Sequence, residues 1–219
     1  MASSIIVLNP NSNEAVTAGI DAALEPLRMA GGPAIRSLTL KEGPPGIQTQ
    51  ADVESVVQPM VRTAKSLEAD AAAFVIACFS DPGLHVMREA LNVPVLGIAE
   101  CGVLTALTMG QRFGVIAILK GSIPRHMRLW GAMGVTDRLA GELPVGMTVA
   151  ELADRPRTLA HMTEAGTALR DERGADVIVM GCAGMAPLRG ALEGALGLPV
   201  VEPTQAAVAM ALGRVRLGW

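Results

Sequence analysis

Aromatic residues and clusters of positive charge are scarce in this sequence. The 219 residues include no tyrosine, three phenylalanines and two tryptophans, so a platform on which bases or sugars stack has little to draw on. The 18 lysines and arginines are scattered and the net charge is −3, which lacks the electrostatic footprint of a nucleic-acid-binding protein. We therefore expect a small-molecule partner and no nucleic acid.

Metal, disulfide and nucleotide motifs are also missing. The three cysteines are widely and irregularly spaced, with no Cys-x-x-Cys and no His-x-x-x-His, a pattern that fits neither a disulfide framework nor a zinc site. The glycines form neither Gly-x-Gly-x-x-Gly nor a Walker loop, so a nucleotide cofactor has no support. The sequence predicts reduced thiols, no metal and no cofactor.

Long hydrophobic runs are absent as well. The longest, such as residues 71–78, are far shorter than the roughly 20 residues that a membrane helix requires. Residues 1–13 have neither a basic start nor a long apolar stretch, as a secretion signal would. We expect no membrane partner and a cytoplasmic location.

What is present is a repeated alternation of apolar runs, small turns and amphipathic stretches. It predicts strands at 5–8, 35–40, 71–77, 94–99 and 112–119, a helix that starts at Ser12 or Asn13, one over 53–67 kinked at Pro59, and one through Leu107. Alternating strands and helices with short turns indicate parallel sheets covered by helices on both faces. The predicted fold is α/β, with two pseudo-symmetric lobes, each a short parallel sheet flanked by helices, and an active site in the cleft between them.

Two cysteines stand in matching surroundings. Cys78 and Cys182 each follow an apolar run and open a turn of small residues; sixteen residues separate Cys78 from Pro94, and seventeen separate Cys182 from Pro199. Such self-similarity is typical of a duplicated unit. We predict a first lobe of residues 1–99 plus 203–219, which carries Cys78, and a second lobe of residues 100–202, which carries Cys182.

The position of these cysteines predicts proton chemistry. A cysteine at a helix N-terminus feels the positive end of the helix dipole, and we expect this to lower the pKa of each thiol. Ser80 or Asp81 is predicted to cap the helix after Cys78. One thiolate then removes a proton next to a carbonyl, and the opposite thiol reprotonates the far face of that carbon.

Other polar and small residues fall at the carboxyl ends of the predicted strands, where ligands bind in such sheets. The predicted substrate-binding residues are Asn11, Phe79, Ser80, Asp81, Ser122, Ala183 and Gly184. Asn11 also suits a turn-forming role, and Ser122 suits a helix cap. His126 and His161 have no partner at a telling spacing, and Cys101 suits packing.

Four segments resemble the hydantoin racemase branch of the aspartate/glutamate racemase superfamily: Leu8–Ser12, Ala77–Leu84, Gly97–Glu100 and Gly181–Met185. The resemblance implies a cofactor-independent, two-lobed racemase with one catalytic cysteine from each lobe, Cys78 and Cys182, acting on 5-substituted hydantoins or allantoin. We also expect a homo-oligomer. Ser80 replaces the glycine expected there, and Cys101 stands where alanine is usual; both departures bear on substrate preference.

Three alternatives remain open at this point. One is a maleate-type cis–trans isomerase in which Cys78 adds to a double bond, and a second is an aspartate or glutamate racemase. The third is a two-lobed binding protein without catalysis. Arylmalonate decarboxylases share the fold but lack the first cysteine, so Cys78 argues against that activity.

Overall fold

Two parallel sheets of four strands form the framework of the computed structural model, which describes residues 4–219. In the first sheet the strands lie in the order β2-β1-β3-β4. Their bounds are β1 Ser4–Asn9, β2 Ile35–Thr39, β3 Ala71–Ile76 and β4 Val95–Gly97. All six residues of β1 are buried, as expected for a central parallel strand covered on both faces.

The second sheet repeats the first. Its strands are β5 Phe113–Ala117, β6 Leu139–Pro144, β7 Val177–Gly181 and β8 Val200–Val201, in the order β6-β5-β7-β8. Every neighbouring pair in both sheets is parallel. The predicted α/β class with two similar parallel sheets is confirmed.

Nine α-helices surround these sheets in the described part of the chain. They are α1 Glu14–Ala23, α2 Gln50–Ser55, α3 Val57–Leu67, α4 Leu84–Ala90, α5 Ile98–Met109, α6 Ile123–Met133, α7 Arg155–Asp171, α8 Arg189–Leu196 and α9 Pro203–Leu217. The Asn13 side chain accepts hydrogen bonds from the backbone N–H groups of Ala15 and Val16, so the predicted cap of α1 is confirmed. None of the helices within residues 4–219 is long and apolar enough to cross a membrane.

The segment around Pro59 differs from the prediction. The helix expected over 53–67 is divided into α2, which ends at Ser55, and α3, which begins at Val57. A proline ring collides with the carbonyl four residues earlier in a helix, and for Pro59 that carbonyl belongs to Ser55. The chain therefore breaks one residue after Ser55 rather than kinking at the proline.

Strands β4 and β6 also differ from the prediction. β4 ends at Gly97 and α5 begins at Ile98, so the strand is shorter than the predicted 94–99. Strand β6 is not predicted by the sequence pattern, because its six residues include Gly141 and Pro144 and are all only partly buried.

One of the buried hydrophobic clusters contains residues of both sheets. Val75 of β3, Val115 of β5, Val179 of β7 and Val208 of α9 belong to the same buried cluster. Helix α5 packs against α9, and α9 contacts β1, β3 and β7. The helix assigned by prediction to the first lobe thus touches both sheets, and the residue bounds of the two lobes stay a prediction.

Candidate active site

Cys78 lies just beyond the carboxyl end of β3. The backbone N–H of Ala77 donates to the Leu8 carbonyl and continues the pairing with β1. Cys78 then opens a turn in which the Asp81 N–H donates to the Cys78 carbonyl at 3.0 Å. The side chain of Cys78 is partly buried.

Cys182 takes the corresponding place after β7. It directly follows Gly181, the last residue of the strand, and precedes a short 3₁₀ helix over Ala183–Leu188. The Met185 N–H donates to the Cys182 carbonyl at 3.1 Å. Because β3 and β7 hold the same place in their sheets, the two cysteines occupy equivalent positions.

Both thiols line one cavity, which is partly open to solvent. Of the seven residues predicted to bind substrate, six line the same cavity: Asn11, Phe79, Ser80, Ser122, Ala183 and Gly184. The sequence-predicted residues from both halves of the chain are thus brought together. Asp81 is not among the residues that line the cavity.

Asp81 has a different role from the predicted one. Its carboxylate accepts hydrogen bonds from the backbone N–H groups of Ala99, at 2.9 Å, and Glu100, at 2.8 Å, in the first turn of α5. The cap position of α4 is Gly83, with φ +70°, and no side chain caps that helix. The expected capping of α4 by Ser80 or Asp81 is wrong, because the turn places Asp81 against the neighbouring helix.

The expected lowering of the thiol pKa values is also wrong. Burial raises the pKa of Cys78 to about 12 and that of Cys182 to about 11, although backbone N–H groups of Ser80 and Gly184 act in the opposite direction. Helix α4 begins only at Leu84, six residues beyond Cys78, and a helix dipole acts only within about one turn. Desolvation of the thiolate therefore dominates.

Arg125 in the first turn of α6 is a cavity residue that the sequence did not single out. Its positive charge lowers the pKa of Cys78, whereas the Cys182 thiolate raises it. The guanidinium donates to the carbonyls of Gly121 and Gln48, each at 3.0 Å, and to the Ser122 hydroxyl at 3.3 Å. Its Nε is buried without a partner in the described structure.

Ser122 occupies the cap position of α6, but its hydroxyl makes no capping hydrogen bond. It is 2% exposed and accepts from Arg125 instead. Arg125 lies three residues after Ser122, about one helical turn away. The predicted site residue Ser122 therefore pointed to the neighbourhood of Arg125.

Asn11 combines the two roles that the sequence left open. Its Oδ1 accepts from Asn9 Nδ2 at 3.0 Å and from the Asn13 N–H at 2.9 Å, which fixes the turn after β1. Its Nδ2 makes no hydrogen bond to residues 4–219, and the side chain lines the cavity. The Asn11 Nδ2 group is therefore a hydrogen-bond donor available to a ligand in the cavity, in the turn that precedes α1.

His126 is the second polar side chain in the cavity lining that the sequence did not predict. Its Nδ1 contacts Oε1 of Glu142, which comes from the unpredicted strand β6. Since β6 was absent from the predicted fold, no spacing in the sequence linked this carboxylate to His126.

The charge of the cavity lining is one-sided. Arg125 contributes a guanidinium, whereas no aspartate or glutamate side chain occurs among the described residues that line the cavity. Within residues 4–219 no group of three or more histidine, cysteine, aspartate or glutamate side chains is arranged to hold a metal ion.

Comparisons with known proteins agree with this arrangement. The family model described as Asp/Glu/Hydantoin racemase matches residues 5–211. The chain belongs to the Asp/Glu/hydantoin racemase family. A hydantoin racemase of Rhizobium meliloti is 34% identical over 98% of this chain and 90% of that protein. A hydantoin racemase of Paenarthrobacter aurescens is 32% identical over 98% of this chain and 92% of that protein.

A solved structure shows the same architecture. The allantoin racemase from Pseudomonas fluorescens superposes with a TM-score of 0.92 at 28% identity, covering 98% of this chain and 92% of that one. As a member of the Asp/Glu/hydantoin racemase family, the protein is an isomerase, and its reaction class is racemisation.

Proposed function

We propose that this racemase inverts the stereocentre next to a carbonyl in a hydantoin-type ring, either a 5-substituted hydantoin or allantoin, by proton transfer between two thiols. The observation that carries the proposal is the placement of Cys78 and Cys182. They follow equivalent strands of two sheets with the same strand order and line one cavity. Bases on two sides of one small substrate are what a two-base inversion needs.

In the proposed mechanism one thiolate and one thiol transfer the protons without a cofactor. The thiolate of one cysteine accepts the proton from the ring carbon, and the electron pair left on carbon delocalises into the neighbouring carbonyl as an enolate. The thiol of the other cysteine then donates its proton to the opposite face. The Arg125 guanidinium and the Asn11 side-chain amide are the donors in the cavity lining that we assign to the enolate oxygen.

The raised pKa values set the resting state of this pair. With pKa values of about 12 and 11, both thiols are protonated near neutral pH. The reactive form is then the singly ionised pair, which has one thiolate and one thiol, because a second ionisation brings two negative charges together. Arg125 stabilises a thiolate at Cys78, since its charge lowers the pKa of that residue, but the pKa of Cys78 stays above that of Cys182.

The lining supports a ring over a free amino acid. Aspartate and glutamate carry an ammonium group, which is usually bound by a carboxylate. The guanidinium of Arg125 suits either a ring carbonyl or an amino-acid carboxylate, but the described lining has no carboxylate for an ammonium group. A ring with carbonyl acceptors and no positive charge therefore fits better. The names of the similar proteins, hydantoin racemases and an allantoin racemase, support the same substrate class.

The test uses three serine variants and one pure enantiomer of a 5-alkyl hydantoin, with allantoin as the second substrate. Cys78→Ser and Cys182→Ser each remove one thiol of the pair, and Cys101→Ser is the matched control, because Cys101 is 2% exposed on α5 and does not line the cavity. Optical rotation in buffered D₂O follows inversion, and NMR follows deuterium at the stereocentre.

We expect each of the first two variants to lose at least about 100-fold in inversion, the usual range for a lost acid or base, while the control keeps its activity. We expect the surviving thiol still to exchange the stereocentre proton of one enantiomer for solvent deuterium. Inversion within tenfold of the wild type in either variant contradicts the two-thiol mechanism. A stable carbon–sulfur adduct on Cys78, detected by mass spectrometry with an unsaturated diacid, favours the addition chemistry of a cis–trans isomerase. The cytoplasmic location and the homo-oligomeric state stay predictions.

A further inference from the structure

A buried imidazole–carboxylate pair borders the cavity. His126 Nδ1 contacts Glu142 Oε1, and the two side chains are only 3% and 1% exposed. The other carboxylate oxygen of Glu142 accepts from the Trp130 indole N–H at 3.4 Å. Both oxygens of Glu142 are thus turned toward donors inside the protein.

The ring of His126 is held beside the Cys78 turn. It packs edge-on against Phe79, the residue after Cys78, with 5.2 Å between the ring centroids. The ring lines the same cavity as the two thiols. Its Nε2 makes no hydrogen bond within the described part of the chain.

The pairing with Glu142 fixes which nitrogen carries hydrogen. An ionised carboxylate only accepts, so the hydrogen of a neutral imidazole lies on Nδ1, and Nε2 presents a lone pair. A carboxylate behind a histidine fixes the tautomer and ring orientation in this way at many functional sites.

The neighbouring polar groups supply donors. Arg125 has only N–H groups, and Asn11 Nδ2 is an unpaired donor. The Ser122 hydroxyl already accepts from Arg125. With hydrogen on Nδ1 alone, Nε2 of His126 is an acceptor in a cavity otherwise suited to carbonyl oxygens.

We propose that His126 positions the substrate by accepting a hydrogen bond from a ring N–H through Nε2, with Glu142 holding the required tautomer. The inference rests on the proposed function, because the N–H belongs to a hydantoin-type ring. It gives this site selectivity for ureide rings that have an unsubstituted nitrogen beside the carbonyls that the donors bind.

Binding of achiral rings tests this contact without turnover. The probes are hydantoin, 1-methylhydantoin and 3-methylhydantoin, measured by calorimetry near pH 7.5 against the wild type and His126→Asn. The asparagine amide replaces the ring at the Nδ1 side, where it can still contact Glu142, but it does not reach the Nε2 position. His126→Gln places an amide oxygen close to Nε2 and is the conservative variant.

We expect the wild type to bind hydantoin at least about tenfold more tightly than one of the two methyl derivatives, because a methyl group removes the donor and leaves a buried acceptor unpaired. In His126→Asn this preference falls to within about threefold, and His126→Gln recovers most of it. The matched control is His161→Gln, since His161 bonds the Val145 carbonyl and does not line the cavity; it keeps the wild-type preference.

The tautomer has its own readout. Nitrogen-15 NMR of the wild type is expected to show hydrogen on Nδ1 of His126, and Glu142→Gln, whose amide can donate to Nδ1, is expected to shift hydrogen toward Nε2 and weaken hydantoin binding. A merely structural pair predicts neither the loss of methyl selectivity in His126→Asn nor the weaker hydantoin binding in Glu142→Gln.

The outcomes separate the two proposals. A wild type that binds hydantoin, with a methyl preference that is unchanged in a folded His126→Asn, overturns the inference alone. A wild type that does not bind hydantoin and racemises neither a 5-substituted hydantoin nor allantoin overturns the proposed function and this inference with it.

Discussion

The carboxylate of Asp81 lies against the backbone of Gly97. A Cβ built at Gly97 would be 2.3 Å from Cγ of Asp81, far inside van der Waals contact. This close approach lets the same carboxylate accept the N–H groups at the start of α5. The turn that follows Cys78 is thereby fastened to the end of β4.

Gly97→Ala is expected to destabilise the protein by about 3 kcal/mol, because the methyl group must displace a buried carboxylate or the strand end. The free energy of unfolding in urea, followed by circular dichroism, measures this loss. Gly131→Ala on α6 is the control, since a Cβ there meets no atom within 4 Å. Equal stability of the two variants would contradict the close packing.

The stability contributed by Asp81 is expected to depend on pH. Burial raises the pKa of this carboxyl from 3.8 to about 7, so the folded protein holds the proton more tightly than the unfolded chain does. The corresponding stability is present below about pH 4 and is lost as the pH rises through about 7, by an amount of up to about 4 kcal/mol.

Asp81→Asn removes this titration. Urea unfolding of the wild type and the variant at pH 4.5, 6 and 7.5 should show the wild type losing stability relative to the variant as the pH rises. A difference that stays constant over this range is the contrary result.

Alkylation of the active-site thiols is expected to rise with pH without reaching a plateau. The pKa values of about 12 for Cys78 and about 11 for Cys182 make the thiolate a minor species, so the rate with iodoacetamide should increase about tenfold per pH unit between pH 7 and 10. Peptide mass spectrometry separates the two sites from Cys101. A plateau below pH 8 would show that one thiol ionises readily.

Arg125→Met is expected to lower kcat/KM by about 100-fold, because it removes a donor from the enolate and the charge that lowers the pKa of Cys78. Arg125→Lys should recover part of this loss, since the charge returns without the planar fork. Arg128→Met is the control: Arg128 is exposed, bonds Gln50 and does not line the cavity. A similar loss in both variants contradicts a specific role for Arg125.

Much of the framework follows from local sequence signals. Apolar runs with β-branched residues mark strands such as β1 and β7, and matching turns after two of them predict that Cys78 and Cys182 occupy equivalent places. Six of the seven predicted binding residues line the cavity, because carboxyl ends of parallel strands meet at one edge.

The features of the site that the sequence did not predict depend on contacts between residues distant in the chain and on burial. The partners of Asp81 lie 18 and 19 residues further along the chain, so local capping rules pointed to the wrong helix. The thiol pKa values depend on desolvation, which no motif reports. Glu142 lies in a strand without a periodic apolar pattern, and its partnership with His126 was invisible for that reason.

The buried cluster that joins both sheets through α5 and α9 has a consequence for stereochemistry. Ala207 and Ala211 of α9 are wholly buried in it, although neither lines the cavity that holds both thiols. A bulkier residue at either position would spread the sheets apart and widen the gap that the substrate carbon must bridge. Under the proposed mechanism such an enzyme would still remove the proton from the stereocentre but would return it to the same face. Racemisation would then be lost while exchange of that proton with solvent deuterium continued.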